Sequence, residues 1–158
     1  MTEMYRSAPA PRQPVVNAGK LWAGGMATAL ISALIAIVGI LVGRGLFDVD
    51  VLAPKGDGVW GDASTFWYAV AAAGASLLAT ALAHVLILFA PKPMRFFGWV
   101  IALATIGSMA APFATDMNTG SRVYTALLNL ILGVAIGSLV AGSARAASRP
   151  VAPARAYP

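Results

Sequence analysis

Cysteine is absent from the chain, and charged residues are scarce. The 158-residue sequence has no cysteine, and only 11% of its residues are Asp, Glu, Lys or Arg. The first absence excludes disulfides, thiolate nucleophiles, iron–sulfur clusters and cysteine-ligated zinc. The second sets the chain apart from soluble domains, which carry about 25% charged residues. Because 59% of the residues are hydrophobic, we expect most of the chain to lie in lipid.

The few charges fall in clusters that leave four uncharged stretches of 20 or more residues. At about 1.5 Å per helical residue, even the shortest stretch matches the roughly 30 Å hydrocarbon core of a bilayer. No alternating barrel pattern is present, so the spans are predicted to be helical. The predicted fold class is all-α, an integral membrane four-helix bundle with antiparallel neighbours. The predicted helices cover about residues 20–46, 63–90, 93–114 and 119–145.

The remaining segments divide the chain into a membrane domain and two tails. Residues 1–19 form a proline-rich N-terminal tail and residues 146–158 a basic tail rich in proline and alanine, and both are expected to be disordered. The membrane domain, residues 20–145, contains one long connection, an outer loop at 47–62. The short proline-containing turn at 90–95 predicts that the second and third helices are adjacent and antiparallel.

The basic residues predict the orientation, because Lys and Arg near span ends resist translocation. Eight of the eleven lie on the side of the two tails, which predicts a multi-pass plasma-membrane protein with both termini cytoplasmic. The excess positive charge is therefore interpreted as a topological signal and as an attraction to anionic lipid headgroups, with no nucleic-acid motif beside it. The residues that carry this signal at the span ends are Lys20, Lys92, Arg95 and Arg145.

No catalytic or cofactor-binding constellation is found in the sequence. The spans contain no carboxylate, which argues against an ion-coupled transporter, and no paired aspartates or His-Glu metal motif of an intramembrane protease. We therefore expect no enzymatic activity, no cofactor and no metal. The acidic outer loop does not have the spacing of an EF-hand, and a solvated loop is the simpler interpretation.

The second span carries polar residues four apart: Tyr68, Ser76, Thr80 and His84, with Ala72 completing the line. Asn129 in the fourth span, and Thr105 and Ser108 in the third, are expected to face this stripe. Since exposing an ionisable group to lipid is costly, His84 is the prime functional candidate. The preferred interpretation is a neutral histidine that hydrogen-bonds to Thr or Ser. A contact with a quinone, a lipid or another subunit, and proton transfer, are the alternatives.

Small residues spaced four apart predict helix-packing faces, because they allow two backbones to approach closely. The pairs are Gly39 with Gly43 in the first span and Gly133 with Gly137 in the fourth. In a chain this rich in Gly and Ala, such pairs also arise by chance.

Four segments carry a resemblance to known proteins: residues 21–25, 51–58, 96–99 and 129–138. They resemble a family of small four-span actinobacterial membrane proteins of unknown function, over about residues 20 to 143. More loosely, the chain is similar to the four-helix accessory subunits of actinobacterial respiratory complexes, including the supercomplex of cytochrome bcc with an aa3-type oxidase. The resemblance implies a four-span topology, no catalytic residues, and no redox ligands of the chain's own.

Three functions are compatible with these patterns. The leading hypothesis is a non-catalytic accessory or assembly subunit of a multi-subunit membrane complex, most specifically a respiratory one, whose partners are the bilayer and other membrane subunits. The second is a small transporter or lipid-handling protein that uses the stripe on the second span as a path. The third is an envelope sensor that responds through its acidic outer loop.

Overall fold

A computed structural model of the chain describes residues 17–49, 51, 63–114 and 118–148. Four long helices, α1 (Ala18–Leu46), α2 (Ala63–Phe89), α3 (Pro93–Ala110) and α4 (Thr119–Ala147), are joined in that order, with a short 3₁₀ helix at Ala111–Ala114. All four are long and apolar enough to cross a membrane. The predicted all-α four-helix membrane bundle is confirmed.

The boundaries of α1, α2 and α4 differ from the prediction by at most two residues, and α3 ends four residues early, at Ala110. α1 begins two residues earlier than predicted, because the Asn17 side chain accepts a hydrogen bond from the Lys20 N–H (3.0 Å) and caps the helix. α4 continues to Ala147, so the predicted tails lose residues 18, 19, 146 and 147 to the helices. The rest of the N-terminal tail up to residue 16, the C-terminal tail from residue 149, and most of the outer loop lie outside the described residues.

The third helix changes its geometry at Pro112. The helix is α-helical only to Ala110, and residues 111–114 continue as a 3₁₀ turn that contains the buried Pro112. Proline lacks an N–H group and its ring opposes the carbonyl of the preceding turn, so an α-helix cannot pass through it undisturbed. The third span is thereby extended to Ala114.

Both termini of the bundle lie at the same end. The Asn17 N–H donates a hydrogen bond to the Ala147 carbonyl (3.1 Å), which joins the start of α1 to the end of α4. We call this the tail end, and the opposite end, where α1 stops and α4 begins, the loop end. At the loop end the chain turns back over the bundle: Asp48 has φ of 50°, the Val49 N–H bonds to the Gly43 carbonyl, and Val51 is buried.

The four helices form a diamond in cross-section. α2 and α4 touch each other across the short diagonal, and each also contacts both α1 and α3. Among the described residues, α1 and α3 do not touch, so they occupy opposite corners. The expected contact between α2 and α3 is present, but α3 packs more extensively on α4.

Two apolar clusters of buried residues form the core, and alanine is prominent in both. Small side chains allow the helix backbones to come close, which is how helices associate in lipid. Phe97, the largest fully buried side chain, inserts from α3 into the tail-end cluster. The other members of that cluster are Leu21, Ala79, Ala83, Ile136, Val140, Ala144 and Ala147. The loop-end cluster consists of Ala36, Ile40, Val51, Ala69, Ala72, Leu128 and Leu132.

Candidate functional site

The polar stripe predicted on α2 is divided between two neighbours. Its central part faces α1, where Ser76 Oγ donates to Ser32 Oγ at 2.8 Å. Thr80 donates to the Ser76 carbonyl at 2.8 Å, and both residues are fully buried. The expectation that the whole stripe faces α3 and α4 is therefore wrong for Ser76 and Thr80. They close a polar seam between α1 and α2, and their hydroxyl protons are already donated.

The seam continues along α1. Ser32 donates to the Thr28 carbonyl and Thr28 to the Gly24 carbonyl, each at 2.8 Å, and both side chains are buried. Donation to the carbonyl one turn earlier satisfies a hydroxyl group in lipid without a second helix. Of the hydrogen bonds described for these four hydroxyl side chains, the one between Ser32 and Ser76 joins α1 to α2.

The loop-end part of the stripe faces α4 as predicted, and it forms a three-helix junction. The Tyr68 hydroxyl donates to Asn129 Oδ1, which joins α2 to α4. Asn129 Nδ2 donates to the Ser108 carbonyl at 2.7 Å, which joins α4 to α3. Asn129 is the polar residue that holds α2, α3 and α4 together.

A cavity of about 320 Å³ extends from this junction toward the middle of the bundle, between α2, α3 and α4. Each helix contributes a segment of two turns: Tyr68 to Ala75, Ile101 to Ser108, and Asn129 to Ile136. At about 1.5 Å per residue, the cavity extends roughly 10 Å along the helix axes. Its other lining residues are Ala71, Ala72, Ala104, Thr105, Leu132 and Gly133. We call it the three-helix cavity.

The three-helix cavity is polar at one end and apolar at the other. Tyr68, Ser108 and Asn129 form its loop end, while Ala75, Ile101 and Ile136 form the end toward the middle of the bundle. Thr105 donates its hydroxyl proton to the Ile101 carbonyl at 2.7 Å and thus presents mainly its methyl group and oxygen lone pairs. The lining includes no carboxylate, ammonium, guanidinium or imidazole group.

His84 has a different partner from the predicted one. Its Nδ1 atom accepts a hydrogen bond from the indole Nε1–H of Trp22 at 3.1 Å, and the two rings meet edge to face. Because indole can only donate, Nδ1 must be unprotonated, so the bond selects the neutral tautomer with hydrogen on Nε2. The expected neutral histidine fits this geometry, but the expected Thr or Ser partner is wrong. Both rings are partly exposed near the tail end, and His84 does not line the three-helix cavity.

The four predicted packing glycines all lie against neighbouring helices. A Cβ atom at Gly39 or Gly43 would collide with Leu128 or with the Tyr124 ring of α4. At Gly133 it would collide with Thr105 of α3, and at Gly137 it would lie 2.9 Å from Ile101. Close approach of α4 to both α1 and α3 therefore depends on these positions.

The basic residues that predicted the topology sit together at the tail end. Lys20, Lys92, Arg95 and Arg145 are all exposed there. Of the described residues, the only carboxylate is Asp48, which is at the opposite end. The tail end is therefore suited to contact phosphate groups of lipid headgroups.

Sequence reasoning missed several residues that link helices, among them Trp22, which bonds to His84. Ser32 was not singled out, although it bonds to Ser76, and neither was Tyr124, although its hydroxyl donates to the Gly39 carbonyl at 2.7 Å. Ser32 lies one turn from Thr28, and this spacing was the available signal. Tyr124 lies one turn from Gly120 and Leu128, and its sequence neighbours carry no comparable signal.

The described residues offer hydrogen bonds and shape. Among them, no group of three or more His, Asp or Glu side chains is close enough to hold a metal ion. The polar cluster of Tyr68, Ser108 and Asn129 beside the three-helix cavity is uncharged, so it is suited to binding a neutral group. This arrangement defines a small multi-pass four-helix membrane protein.

The chain belongs to a family of unknown function, DUF6069, which matches residues 16–146. The match covers the four helices except for the last residue of α4, so the resemblance to a family of unknown function is confirmed. No curated protein and no solved structure matches the sequence.

Proposed function

We propose that the chain is a non-catalytic accessory or assembly subunit of a larger membrane complex, and that α3 contacts the partner. The observation that carries the proposal is the peripheral position of α3. In an apolar stretch of 18 residues of the third span, only 11% of the residues are buried inside the bundle. In the corresponding stretches of the other three helices, 28% to 33% are buried. A helix so weakly embedded in its own bundle is available to a second protein.

The exposed side of α3 is large and apolar. Phe97, Ile101 and Thr105 point toward the bundle, while the opposite side presents a row of bulky side chains. These are Phe96, Trp99, Val100, Leu103, Ile106 and Phe113, each at least 44% exposed. Lipid tails adapt to almost any apolar shape, whereas a protein partner requires a matching one. This difference provides the test.

The test uses bulky substitutions that lipid tolerates and a protein interface does not. Leu103→Trp and Ile106→Trp enlarge the exposed side of α3, and Leu30→Trp and Leu34→Trp make the same change on the exposed side of α1. With a tag at the C-terminus and extraction in a mild detergent, we expect wild type and the α1 variants to retain a co-purifying complex. The α3 variants should lose it. Purification of wild type only as a free monomer or homo-oligomer would refute the proposal.

A respiratory assembly is the specific complex that we propose, on the strength of the looser resemblance to accessory subunits of actinobacterial respiratory complexes. Haem absorbance in the eluate, with a cytochrome oxidase among the retained proteins, is the expected result. A retained complex without haem would show that the partner is a membrane complex other than a respiratory oxidase.

We also propose a plasma-membrane location with the tail end in the cytoplasm, because the exposed cations at that end fit the rule for positive residues. The absence of native cysteine makes single-cysteine labelling clean. Thr119→Cys at the loop end should react with an impermeant maleimide in intact cells, and Ala146→Cys at the tail end only after permeabilisation. The reverse labelling pattern would show that the tail end faces the outside of the cell.

The second candidate, a transporter that uses the α2 stripe as a path, has less support. Ser76 and Thr80 are fully buried against α1. Thr80 packs directly on Gly25 of α1, since a Cβ atom added to Gly25 would lie 2.6 Å from the Thr80 side chain. The seam is closed by contact between α1 and α2. A lipid-handling role would have to use the three-helix cavity instead.

A further inference from the structure

The three-helix cavity is shaped to receive an elongated molecule from the bilayer. It measures about 320 Å³, at the lower end of the roughly 300–1,000 Å³ range of small-molecule sites in proteins. Three of its lining alanines, Ala71, Ala75 and Ala104, are exposed on the surface between α2 and α3. Because alanine is small, these positions leave a lateral opening toward the lipid, and a ligand can enter without passing through water.

The polar end of the cavity has hydrogen-bonding capacity that the bundle does not use. A side-chain amide has two N–H donors, and the bond that Asn129 donates within the junction, to the Ser108 carbonyl, uses one of them. The Tyr68 hydroxyl donates its only proton to Asn129. The second N–H of Asn129 is therefore the donor left at this end, and its complement is an acceptor such as a carbonyl oxygen.

The cavity selects against charge. Its lining has no acid or base to neutralise a phosphate, carboxylate or ammonium group, and placing an unpaired charge in such an environment is strongly unfavourable. Its far end, formed by Ala75, Ile101 and Ile136, is apolar and suits a hydrocarbon chain or an isoprenoid. The ligand must therefore have a neutral polar group at the loop end of the cavity and an apolar body toward the middle of the bundle.

We propose that the three-helix cavity binds a neutral, carbonyl-bearing amphiphile, whose carbonyl oxygen accepts a hydrogen bond from the Asn129 amide and whose apolar body lies toward Ile101 and Ile136. Two kinds of membrane molecule share this chemistry, a neutral glycerol ester lipid and an isoprenoid quinone. The site goes beyond the subunit role proposed above, since a free bundle and a complexed one can both carry it.

The binding experiment uses the full chain in dodecyl maltoside, a detergent without a carbonyl group. The probes are dioctanoylglycerol, its ether analogue dioctylglycerol, which lacks the carbonyl groups, and a short-chain benzoquinone with a decyl tail. Equilibrium binding is measured by native mass spectrometry over a concentration series. We expect saturable one-to-one binding of the ester or of the quinone, which identifies the source. If the ester is bound, it should bind at least about tenfold more tightly than the ether.

Two matched variants test the location. Ala104→Phe places a ring in the mouth of the cavity and leaves the Asn129 bonds intact, so it should abolish binding. Ala102→Phe makes the same change two residues away on α3, at an exposed position outside the cavity lining, and should bind as wild type does. Equal binding by the two variants would overturn the proposal, as would the absence of saturable binding of both the ester and the quinone.

Asn129→Leu tests the hydrogen bond separately. If dioctanoylglycerol is the ligand, this variant should bind the ester and the ether with the same affinity, because the donor to the carbonyl is gone. If the quinone is the ligand, its affinity should fall by at least about tenfold. An unchanged preference for ester over ether, or an unchanged quinone affinity, would show that Asn129 does not recognise the carbonyl. The comparison of Ala104→Phe with Ala102→Phe remains decisive if Asn129→Leu fails to fold.

Discussion

Ser76 Oγ lies 2.8 Å from Ser32 Oγ near the midpoints of α2 and α1, and it also lies 3.1 Å from the Ala72 carbonyl of its own helix. A serine hydroxyl has one proton, so two acceptors share it. Loss of either acceptor leaves the other, and neither helix depends on this hydrogen bond alone.

We therefore predict that Ser32→Ala destabilises the bundle by less than about 1 kcal/mol, the usual range for hydrogen bonds between membrane helices. Ser32→Leu should destabilise it by more, roughly 1–3 kcal/mol, because Ser32 is fully buried and a larger side chain overpacks the seam. Thermal unfolding in detergent measures both, with Leu30→Ala on the exposed side of α1 as the control. A larger loss for Ser32→Ala than for Ser32→Leu would show that the bond and not the packing maintains the seam.

Gly133→Ala should be among the most damaging single substitutions in α4. The added Cβ would overlap the Thr105 side chain and lie 2.9 Å from Thr105 Cβ, and a β-branched residue on a helix has little freedom to move away. The expected loss is about 1–3 kcal/mol of unfolding free energy.

Gly142→Ala is the matched control for that substitution on the same helix. Nothing lies within 4 Å of a Cβ placed there, so alanine should stabilise the helix by about 0.5–1 kcal/mol. The double variant Gly133→Ala with Thr105→Ala should recover part of the loss, since it removes Oγ1 and Cγ2 of Thr105 but keeps its Cβ, 2.9 Å from the added atom. If the double variant is no more stable than Gly133→Ala alone, the collision with Thr105 is not the cause of the loss.

The bond between Trp22 and His84 predicts energetic coupling between these residues. Trp22→Phe and His84→Ala should each destabilise the bundle, and the double variant should lose less than their sum by about 0.6–1 kcal/mol. The double-mutant cycle is measured by thermal unfolding, with Trp99→Phe, at a residue 66% exposed on α3, as the control. Strict additivity would mean that the bond contributes nothing to stability.

Asn129→Leu should destabilise more than Tyr68→Phe. The leucine leaves both the Tyr68 hydroxyl and the Ser108 carbonyl without their partner, whereas Tyr68→Phe removes one bond and keeps the link to α3. Each buried polar group left unpaired costs about 1–3 kcal/mol. Because the chain has no cysteine, cross-linking of an engineered cysteine pair across α3 and α4 reports specifically on detachment of α3. Equal effects of the two variants would show that the Ser108 bond is dispensable.

The sequence predicted the helices well because hydropathy and charge clusters are strong signals in a membrane chain. It placed the end of α1 at residue 46 and the start of α4 at residue 119, as observed. The start of α1 was missed because Asn17 was assigned to the tail, and its capping role depends on backbone geometry rather than on hydropathy.

The partners of the polar residues were predicted less well. In water an amphipathic helix shows which side faces the core, but in lipid both the packed side and the exposed side are apolar, so rotation about the helix axis is poorly specified. Asn129 and Gly133 were identified, yet the sequence could not show that Ser76 turns to α1 while Tyr68 turns to α4. It also could not show that His84 accepts a hydrogen bond from Trp22 of the neighbouring helix α1.

The three-helix cavity had no sequence signal at all. Small side chains such as Ala75 and Ala104 line it, and the space between them is a property of the packed bundle. A row of alanines in a membrane helix is as compatible with tight contact as with a void.

The hydrogen bond from the Asn17 N–H to the Ala147 carbonyl means that residues 1–16 and 149–158 leave the bundle from neighbouring points. A domain fused to one terminus is therefore tethered close to a domain fused to the other, which raises their effective concentration for each other. Halves of a split fluorescent protein fused to the two termini should therefore complement within one molecule. A tag at either terminus also reports on, and obstructs, the same corner of the protein.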